Sequence, residues 1–383
     1  MKKILLIILV ISILLFGCQK EVSTELSNTN TSSQVDVYVA GYEEKGSHNV
    51  AKYWKNGQAV ELTDGTKNAW TNSITVVGSD VYVAGGEQKT AVPGYYNAIY
   101  WKNGNPVTLS DDGDAISIAV SGNDVYVAGS LRINSGTESI HACYWKNGNV
   151  TLLPDNTRSG DPEERYPINS KYSLANSIFI SGGDIYIAGG EFVSRETSPS
   201  SGIDCISAVY WKNGNEVYLI KGGYGSSLAD EANSIFVAGQ DVYACGALEA
   251  QYWKNGTYFY LAGSGPSSGL RTEANSICVS GSDVYVAGTQ SDGEPVQGYF
   301  GTSYRDVAKY WKNGIAVNLS DGTKEAYATS IAVSGNDVYV AGGEEKTAGT
   351  GDYVAKYWKN GSPVILGDVT KYSEAYSIFL VKK

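Results

Sequence analysis

One variable position in a sevenfold sequence pattern carries residues that could bind a ligand or transfer protons. The pattern contains a recurrent Ser-Ile pair, and the variable position lies three residues before its serine. In chain order, the residues at this position are Trp70, Asp114, Leu174, Glu231, Glu273, Tyr327 and Glu374. An aromatic ring among carboxylates suits a sugar, with its apolar C–H face and hydroxyl donors, and equally suits a cationic side chain of a protein partner. All but the leucine are therefore our candidate ligand site, and the alternative is that they are solvated loop residues.

The motifs that mark common catalytic sites are missing from the sequence. There is no P-loop, no His-Glu-x-x-His, no Gly-x-Ser-x-Gly and no Cys-x-x-Cys spacing. Two of the candidate glutamates could act as the acid and base of a glycosidase, which requires a defined separation between the carboxyl groups. Sialidase-like chemistry is disfavoured because Asp-box motifs are missing and arginine is scarce. We therefore expect a protein that is not an enzyme, and we keep glycoside hydrolysis as the alternative.

Composition disfavours several classes of ligand. The net charge of −11 argues against nucleic acid, because binding phosphates needs a basic surface. The chain has two histidines, which argues against multi-histidine metal sites and haem. Asp111, Asp112 and Asp114 around Gly113 hint at a calcium loop, but the twelve-residue ligand pattern is absent. We expect no cofactor, with calcium as the alternative.

Four cysteines lie in the repeated part of the chain, at Cys143, Cys205, Cys245 and Cys278. A location outside the cytoplasm would permit disulfides, but the spacing is not diagnostic of any pairing. Cys245 and Cys278 replace alanine-like strand positions, so we expect buried free thiols there. A bridge between Cys143 and Cys205 is the alternative for the other two.

The elements that position the candidate residues are themselves repeated. Tyr-Trp-Lys-Asn-Gly occurs seven times, and so does Asp-Val-Tyr-Val-Ala-Gly or a near variant. With the Ser-Ile run and a short apolar run after each Asn-Gly, they form a unit of about 50 residues over residues 35–383. Alternating β-branched and aromatic residues predict strands, and Asn-Gly predicts tight hairpin turns. Four antiparallel strands in each of seven units predict an all-β fold, the seven-bladed β-propeller.

The two ends of the repeated region predict how the ring closes. The first unit begins at Asp36 without a Ser-Ile strand, and the chain ends with such a strand, Tyr376–Val381, that no further unit follows. These two incomplete units make one complete blade. We therefore expect the N- and C-terminal segments to pair in a single blade and to close a monomeric propeller.

The connections between strands differ on the two sides of the predicted disc. First-to-second and third-to-fourth connections are uniformly short, and we call their side the short-turn face. Second-to-third connections vary from five residues (247–251) to twenty-one (289–309), and we call their side the long-loop face. Variable loops on a rigid scaffold usually carry binding, which favours the long-loop face. The seven aspartates and seven lysines that recur on the short-turn face are expected to pair locally.

The repeat resembles that of a known family. Residues 119–129 are similar to the first hairpin of a kelch repeat, and the pairs Gly85-Gly86, Gly189-Gly190 and Gly342-Gly343 match its glycine doublet. Tyrosine and tryptophan are adjacent in the third strand here, whereas kelch repeats usually separate them. The repeat also resembles bacterial envelope lipoproteins with Tyr-Trp-Lys-Asn-Gly repeats, and the resemblance implies a propeller without implying an activity. A second acidic ring is expected near the doublets, at Glu43, Glu87, Glu191 and Glu344.

The N-terminal segment predicts where the domain is held. After a basic start, Ile4–Phe16 is an apolar run that is too short to span a membrane and is typical of a secretory signal. It ends in Leu-Phe-Gly-Cys18, which resembles the lipobox of bacterial lipoproteins and implies cleavage before Cys18 and acylation of that residue. The alternative is an ordinary signal peptide with an incidental cysteine. We predict a signal peptide at 1–17, a flexible polar tether at 18–34 and the propeller at 35–383.

Together these features predict a lipoprotein of the bacterial cell envelope, outside the cytoplasm, and on the outer membrane in a Gram-negative cell. Its acyl anchor would make the membrane contact. Its long-loop face would bind a glycan or an envelope protein without catalysis. The first alternative is a structural scaffold subunit of an envelope assembly, and the second is a glycoside-active enzyme with carboxylates at the channel mouth.

Overall fold

The chain folds into strands whose boundaries follow the repeated strings. The computed structural model describes residues 35–89, 96–134, 138–154, 168–198, 201–220, 231–246, 250–262, 270–298 and 301–383. All regular elements in these ranges are β-strands. Each Asn-Gly turn has positive φ at both residues, for example 51° at Asn147 and 82° at Gly148. A type I′ hairpin turn requires this conformation, which explains why Asn-Gly recurs there.

The strands form seven sheets, or blades, described here from the central channel outward. Blade 1 contains β28 (Ser373–Lys382), β1 (Val35–Lys45), β2 (His48–Lys55) and β3 (Gln58–Glu61). Blade 2 contains β4 (Ala69–Val77), β5 (Asp80–Gln88), β6 (Tyr96–Lys102) and β7 (Asn105–Ser110). Blade 3 contains β8 (Gly113–Ser121), β9 (Asp124–Asn134), β10 (Glu138–Lys146) and β11 (Asn149–Leu152).

The remaining blades follow the same order. Blade 4 contains β12 (Ile168–Ser181), β13 (Asp184–Ser198), β14 (Ser201–Lys212) and β15 (Asn215–Ile220). Blade 5 contains β16 (Ala232–Ala238), β17 (Asp241–Gly246), β18 (Gln251–Lys254) and β19 (Thr257–Tyr260). Blade 6 contains β20 (Thr272–Ser280), β21 (Asp283–Gly298), β22 (Gly301–Lys312) and β23 (Ile315–Asn318). Blade 7 contains β24 (Ala326–Ser334), β25 (Asp337–Glu345), β26 (Tyr353–Lys359) and β27 (Ser362–Ile365).

The ring of seven antiparallel blades is a seven-bladed β-propeller, as predicted. Its closure is also confirmed, because β28 pairs antiparallel with β1, with Leu380 opposite Val37. Blade 1 is therefore built from the two ends of the repeated region. This pairing holds the first and last blades together in one sheet.

The core lies between neighbouring blades. The tryptophan of each Tyr-Trp-Lys-Asn-Gly string is at most 1% exposed. Trp101 of blade 2, for example, packs in one cluster with Tyr38 and Ala40 of blade 1. Burying a side chain of this size contributes several kcal/mol, so the repeated aromatic residues are explained by packing between blades.

A ring of serine hydrogen bonds joins the innermost strands. Ser117 Oγ accepts a hydrogen bond of 3.1 Å from the backbone N–H of Ile178 in the next blade. Equivalent bonds of 3.1–3.3 Å link all seven blades, and the bond from Ile74 N–H to Ser377 Oγ completes the ring. The innermost strand is a sheet edge, so its free N–H groups need such partners.

The short-turn face is a local pairing network, as predicted. Asp124 accepts hydrogen bonds from Asn147 Nδ2 at 2.8 Å and pairs with Lys146 Nζ at 2.8 Å, while Lys146 lies 5.2 Å from the centroid of the Tyr126 ring. The same aspartate–lysine pair occurs in all seven blades, at 2.7–3.7 Å. These lysines are therefore matched by carboxylates and do not form a basic ring for anions.

The longest connections on the long-loop face are themselves strands. The residues 289–309, which the sequence indicated as a loop, continue the ladder between β21 and β22 as far as Gly298 opposite Gly301. The ladder between β13 and β14 likewise extends to Ser198 opposite Ser201. The predicted long loops of blades 4 and 6 are thus long hairpins.

Candidate functional site

The six candidate residues lie near the long-loop ends of the inner strands, where each strand contains a β-bulge. In β28 the register shifts between Ala375 and Ser377, so that Tyr376 is the extra residue. The same shift occurs before the serine of every inner strand. A bulge inserts one extra residue into the strand, and the side chain of this residue departs from the regular alternation between the two faces of the sheet. The structure does not give the six residues one common environment, and we describe them by region.

Tyr327 and Glu374 belong to a cluster of aromatic residues shared by blades 7 and 1. We define the tyrosine cluster as Glu374 with Tyr42, Tyr327, Tyr353, Tyr372 and Tyr376. The hydroxyl groups of Tyr372 and Tyr376 both donate hydrogen bonds to the carboxylate of Glu374. The carboxylate is therefore held in a fixed position by two phenols from its own strand segment.

The rings of the tyrosine cluster pack against one another. The centroid of Tyr42 lies 6.1 Å from that of Tyr372 and 6.0 Å from that of Tyr376. Tyr353 lies 6.2 Å from Tyr372 in an edge-on arrangement and 5.3 Å from Tyr327. All five rings are partly exposed, so aromatic surface remains available at the long-loop face.

The environment keeps these phenols neutral. Burial raises the pKa of Tyr42, Tyr372 and Tyr376, and the negative charge of Glu374 raises each further. Burial, with the nearby carboxylates, raises the pKa of Tyr353 to about 12. The hydroxyl oxygen of Tyr327 is buried and has no hydrogen-bond partner among the described residues. The cluster therefore presents neutral aromatic rings and one carboxylate acceptor.

Trp70 and Asp114 lie in a second region, shared by blades 2 and 3. Trp70 contacts Tyr96 edge-on, with 4.6 Å between ring centroids. Tyr96 in turn lines a small cavity of about 30 Å³ together with Asp112, Asp114 and Arg132. We call Trp70, Tyr96, Asp112, Asp114 and Arg132 the Trp70 patch.

Asp114 is the perturbed carboxyl of the Trp70 patch. Burial raises its pKa above the ordinary value, and the hydrogen bond from Ser130 Oγ at 3.5 Å opposes this only in part. Asp112 lies 3.8 Å from Nε of Arg132. The patch therefore combines an aromatic wall with one desolvated carboxyl group and one ion pair.

The other two candidates, Glu231 and Glu273, are not members of the tyrosine cluster or of the Trp70 patch. Glu273 pairs with Arg271, so its charge is compensated. Glu231 accepts a hydrogen bond of 3.0 Å from Asn176 Nδ2 and lines the channel. That channel holds a cavity of about 510 Å³, which Tyr376 also lines. Glu231 and Tyr376 thus connect the tyrosine cluster with the channel mouth, and Glu273 does not belong to this site.

The sequence did not indicate Tyr42, Tyr353, Tyr372 or Tyr376 as site residues. A signal for two of them was present, because they interrupt the repeat. Tyr376 stands where blades 2, 4, 5 and 6 have asparagine, and Tyr42 stands where blades 2, 4 and 7 have the second glycine of the doublet. Positions at which one blade departs from the repeat would have identified them.

The predicted second acidic ring is not a ring open to a ligand. Glu43 pairs with Lys52 at 2.9 Å, both nearly buried, and Glu87 lies 3.4 Å from Lys67. The other two carboxylates have partners in their own blades, since Glu344 pairs with Lys356 and Glu191 accepts a hydrogen bond from Tyr218. These carboxylates are therefore occupied by contacts with neighbouring side chains.

The cysteines are structural. Cys143, Cys245 and Cys278 are buried free thiols, and burial raises the pKa of each. The expectation for Cys245 and Cys278 is confirmed, and Cys143 does not form the bridge considered with Cys205. In the ranges that the structure covers, no group of three or more histidine, cysteine or acidic residues is arranged to hold a metal ion. The expectation of no cofactor, with calcium as its alternative, stays a prediction of the sequence.

The predicted signal peptide, Cys18 and the tether lie outside the described residues. Within the described ranges there is no helix long and apolar enough to cross a membrane.

Comparison with known proteins finds no family for the chain and several solved structures of low similarity. No family model and no curated protein matches the chain. Among solved structures, Trypanosoma rangeli sialidase is similar over 83% of this chain and 56% of its own, with 9% identity and a TM-score of 0.40. An extracellular domain of a putative hybrid two-component system from B. thetaiotaomicron is similar over 79% of this chain and 37% of its own, with 11% identity and a TM-score of 0.42. A thermostable family-43 glycoside hydrolase is similar over 67% of this chain and 94% of its own, with 15% identity and a TM-score of 0.35.

These comparisons correct one prediction. The chain spans about half of the sialidase and less than half of the two-component protein. The expectation that the protein is not an enzyme is contradicted, because similar structures include a sialidase and a family-43 glycoside hydrolase. The likeness at this identity concerns the fold, so the function is argued below from this chain's own residues.

Proposed function

We propose that this protein binds carbohydrate on its long-loop face, at the tyrosine cluster and the channel mouth beside it. The observation that carries the proposal is the pair of hydrogen bonds by which Tyr372 and Tyr376 hold Glu374 among aromatic rings. A sugar offers hydroxyl donors to a carboxylate and an apolar C–H face to an aromatic ring. The cavity of about 510 Å³ at the channel mouth has the size of an ordinary small-ligand site.

The variant Tyr376→Asn tests the proposal with little risk to the fold. Asparagine occupies this position in four other blades, where it bonds to the next blade, as Asn72 Nδ2 does to the carbonyl of Ala115 at 2.9 Å. Glycans that bind the wild-type protein on an array would be measured by isothermal titration. We expect binding about tenfold weaker in Tyr376→Asn, since one aromatic contact is lost.

The matched control is Tyr172→Asn on the same face of blade 4. Tyr172 is 38% exposed and stacks on Phe192, with 4.2 Å between centroids, away from the tyrosine cluster. Its substitution should leave glycan affinity unchanged. The proposal fails when the wild-type protein binds no glycan, or when both variants bind as well as the wild type.

Glycoside cleavage is a second candidate function, favoured by Asp114. A carboxyl group whose pKa is raised by burial can donate a proton to a leaving oxygen, as a general acid does. Asp112 and Arg132 line the same small cavity and could orient a substrate. Release of reducing ends from a panel of polysaccharides would test this, with turnover expected in the wild type and lost in Asp114→Asn. A panel without product excludes it.

We further propose that the domain is tethered to the cell envelope through acylated Cys18, as part of a kelch-like lipoprotein. The proposal is supported by the apolar run and Leu-Phe-Gly-Cys sequence that precede the tether. The Cys18→Ser variant should move from the membrane fraction to the soluble fraction and lose the mass of the lipid. A wild-type protein without lipid by mass spectrometry would refute the anchor.

A further inference from the structure

The charges around the channel mouth are unequally compensated. Most carboxylates near the long-loop face have a cationic partner, as in the pairs Glu43–Lys52, Glu87–Lys67, Glu273–Arg271 and Glu344–Lys356. In the part of the chain that the structure describes, Glu374 has no such partner and is held by two neutral phenols. Glu231, which lines the same cavity as Tyr376, is held by the amide of Asn176. The mouth therefore has two carboxylates, Glu231 and Glu374, that pair with no cation among the described residues.

The groups around Glu374 would stabilise a cation. The faces of aromatic rings attract cations, and the two tyrosines that hold this carboxylate pack with three further tyrosine rings, at centroid separations of 5.3–6.2 Å between neighbouring rings. Tyrosine is neutral here, so the rings add attraction without adding charge that would need compensation. A box of aromatic rings with one carboxylate is the arrangement that proteins use for ammonium groups.

We propose that the tyrosine cluster is an ammonium subsite and that its ligand is a sugar unit bearing a protonated amine. The inference deepens the proposed carbohydrate function and rests on it. The ammonium group would lie against Glu374 and the faces of Tyr42 and Tyr376, while the hydroxyls of the sugar extend toward the channel mouth. The uncompensated carboxylate at Glu231 and the acidic net charge of −11 would assist the approach of a cationic ligand.

The experiment compares two ligands of the same sugar backbone, one with a protonated amine and one with that amine acetylated and neutral. Oligosaccharides of glucosamine and of N-acetylglucosamine, equal in length, would be titrated into the wild-type protein at low and high salt. We expect the glucosamine oligomer to bind about tenfold more tightly at low salt, with a preference that salt reduces. The variant Glu374→Gln should lose the preference and keep the affinity for the N-acetylated oligomer.

The matched control is Glu273→Gln, at the same position of the repeat in blade 6. Its carboxylate already pairs with Arg271 and lies outside the site, so the preference should persist. Thermal melting of each variant verifies folding, and the salt dependence of the wild type tests the inference without any variant. Equal affinity of the wild type for the two oligomers would overturn the inference and leave carbohydrate binding standing.

Two further probes separate the sources of an ammonium group. Tetramethylammonium chloride tests the aromatic box alone, and a lysine peptide tests a protein partner. Binding of tetramethylammonium that is lost in Glu374→Gln, without binding of either oligomer, would support the subsite and overturn its assignment to a sugar. Tighter binding of the lysine peptide than of the glucosamine oligomer would also overturn that assignment. Absence of binding by all four probes would refute the subsite, and carbohydrate binding would stand if the glycan array still identifies a ligand.

Discussion

The two faces of the propeller are built from the same seven blades. The contacts on the short-turn face are nearly the same in every blade, whereas those on the long-loop face differ from blade to blade. On the short-turn face, each aspartate has the same lysine, asparagine and tyrosine neighbours, and the seven aspartate–lysine pairs are nearly alike. On the long-loop face, six equivalent candidate residues have different environments, from an ion pair at Glu273 to a phenol cage at Glu374. Repetition thus indicates scaffold, and departure from it indicates where a ligand could be recognised.

The difference has a physical cause. A type I′ turn requires positive φ at two successive residues, so the short-turn face accepts few sequences other than Asn-Gly. The long-loop face has no such requirement beyond the bulge, where the additional residue is asparagine, isoleucine, threonine or tyrosine. Its side chains can therefore vary without loss of the ring.

The largest loss of stability is expected when two adjacent glycines of blade 7 are substituted, and the two substitutions should differ in their effect. A Cβ on Gly342 would lie 2.0 Å from the backbone oxygen of Tyr327, whereas one on Gly343 would lie 2.5 Å from its hydroxyl. Backbone cannot withdraw as the end of a side chain can, so Gly342→Ala should cost about 3 kcal/mol of stability. Gly343→Ala should cost about 1 kcal/mol and weaken glycan binding.

Denaturant unfolding and titration with the bound glycan would measure the two effects. Equal losses of stability would mean that both glycines belong to the scaffold. A Gly343→Ala protein with full affinity would place Tyr327 outside the site.

Features that depend on local sequence could be predicted. Asn-Gly turns, alternating strands and the Ser-Ile string at the C-terminus are each short patterns, and together they predicted the seven blades and the closing pair of β1 and β28. The position three residues before each serine was placed correctly at the long-loop end of the inner strand. Repetition made these predictions reliable because an error would have had to occur seven times.

Features that depend on contacts between distant residues could not be predicted. Tyr42 meets the strand of Glu374 across the β1–β28 pairing, where the two residues stand opposite each other. The bulge before Ser377 shifts the register by one residue, so alternation alone assigns the side chains beyond it to the wrong face. The location of the candidate residues in the fold was therefore predicted, and their contact partners were not.

An intermediate effect is expected at a single short turn. Asn147 has φ of 51°, accepts a hydrogen bond of 2.9 Å from Val125 N–H and donates one to Asp124. Asn147→Ala should cost about 2 kcal/mol, because alanine disfavours this conformation and forms neither hydrogen bond. The control is Asn149→Ala, two residues later in the exposed strand β11, which should change stability little.

Urea unfolding would compare the two variants, and glycan titration should give wild-type affinity for both. Reduced glycan affinity in a stably folded Asn147→Ala protein would contradict the distinction between the two faces, because the short-turn face would then contribute to binding.

The smallest effect on stability is expected when two aspartates of blade 3, one on each face, are substituted. The two substitutions should change Tm in opposite directions. The pKa of Asp124 on the short-turn face is lowered, chiefly by Lys146 and then by Asn147, from an ordinary value of 3.8. Its folded pKa lies below its unfolded pKa, so it contributes stability above about pH 4 that is lost as pH falls through the folded value. The pKa of Asp114 on the long-loop face is raised by burial, so its charge destabilises the fold at neutral pH and stability recovers as pH falls toward 3.8.

Asp124→Asn should therefore lower Tm at pH 7, and Asp114→Asn should raise it by an amount equivalent to about 0.5 kcal/mol. In melting curves recorded at falling pH, the Asp114→Asn difference should vanish by about pH 3.8, whereas the Asp124→Asn difference should vanish only as pH falls through the lowered folded pKa of Asp124. Shifts of the same sign at pH 7 would show that Asp114 is held as a structural carboxylate like Asp124, and the long-loop face would lose its one desolvated acid.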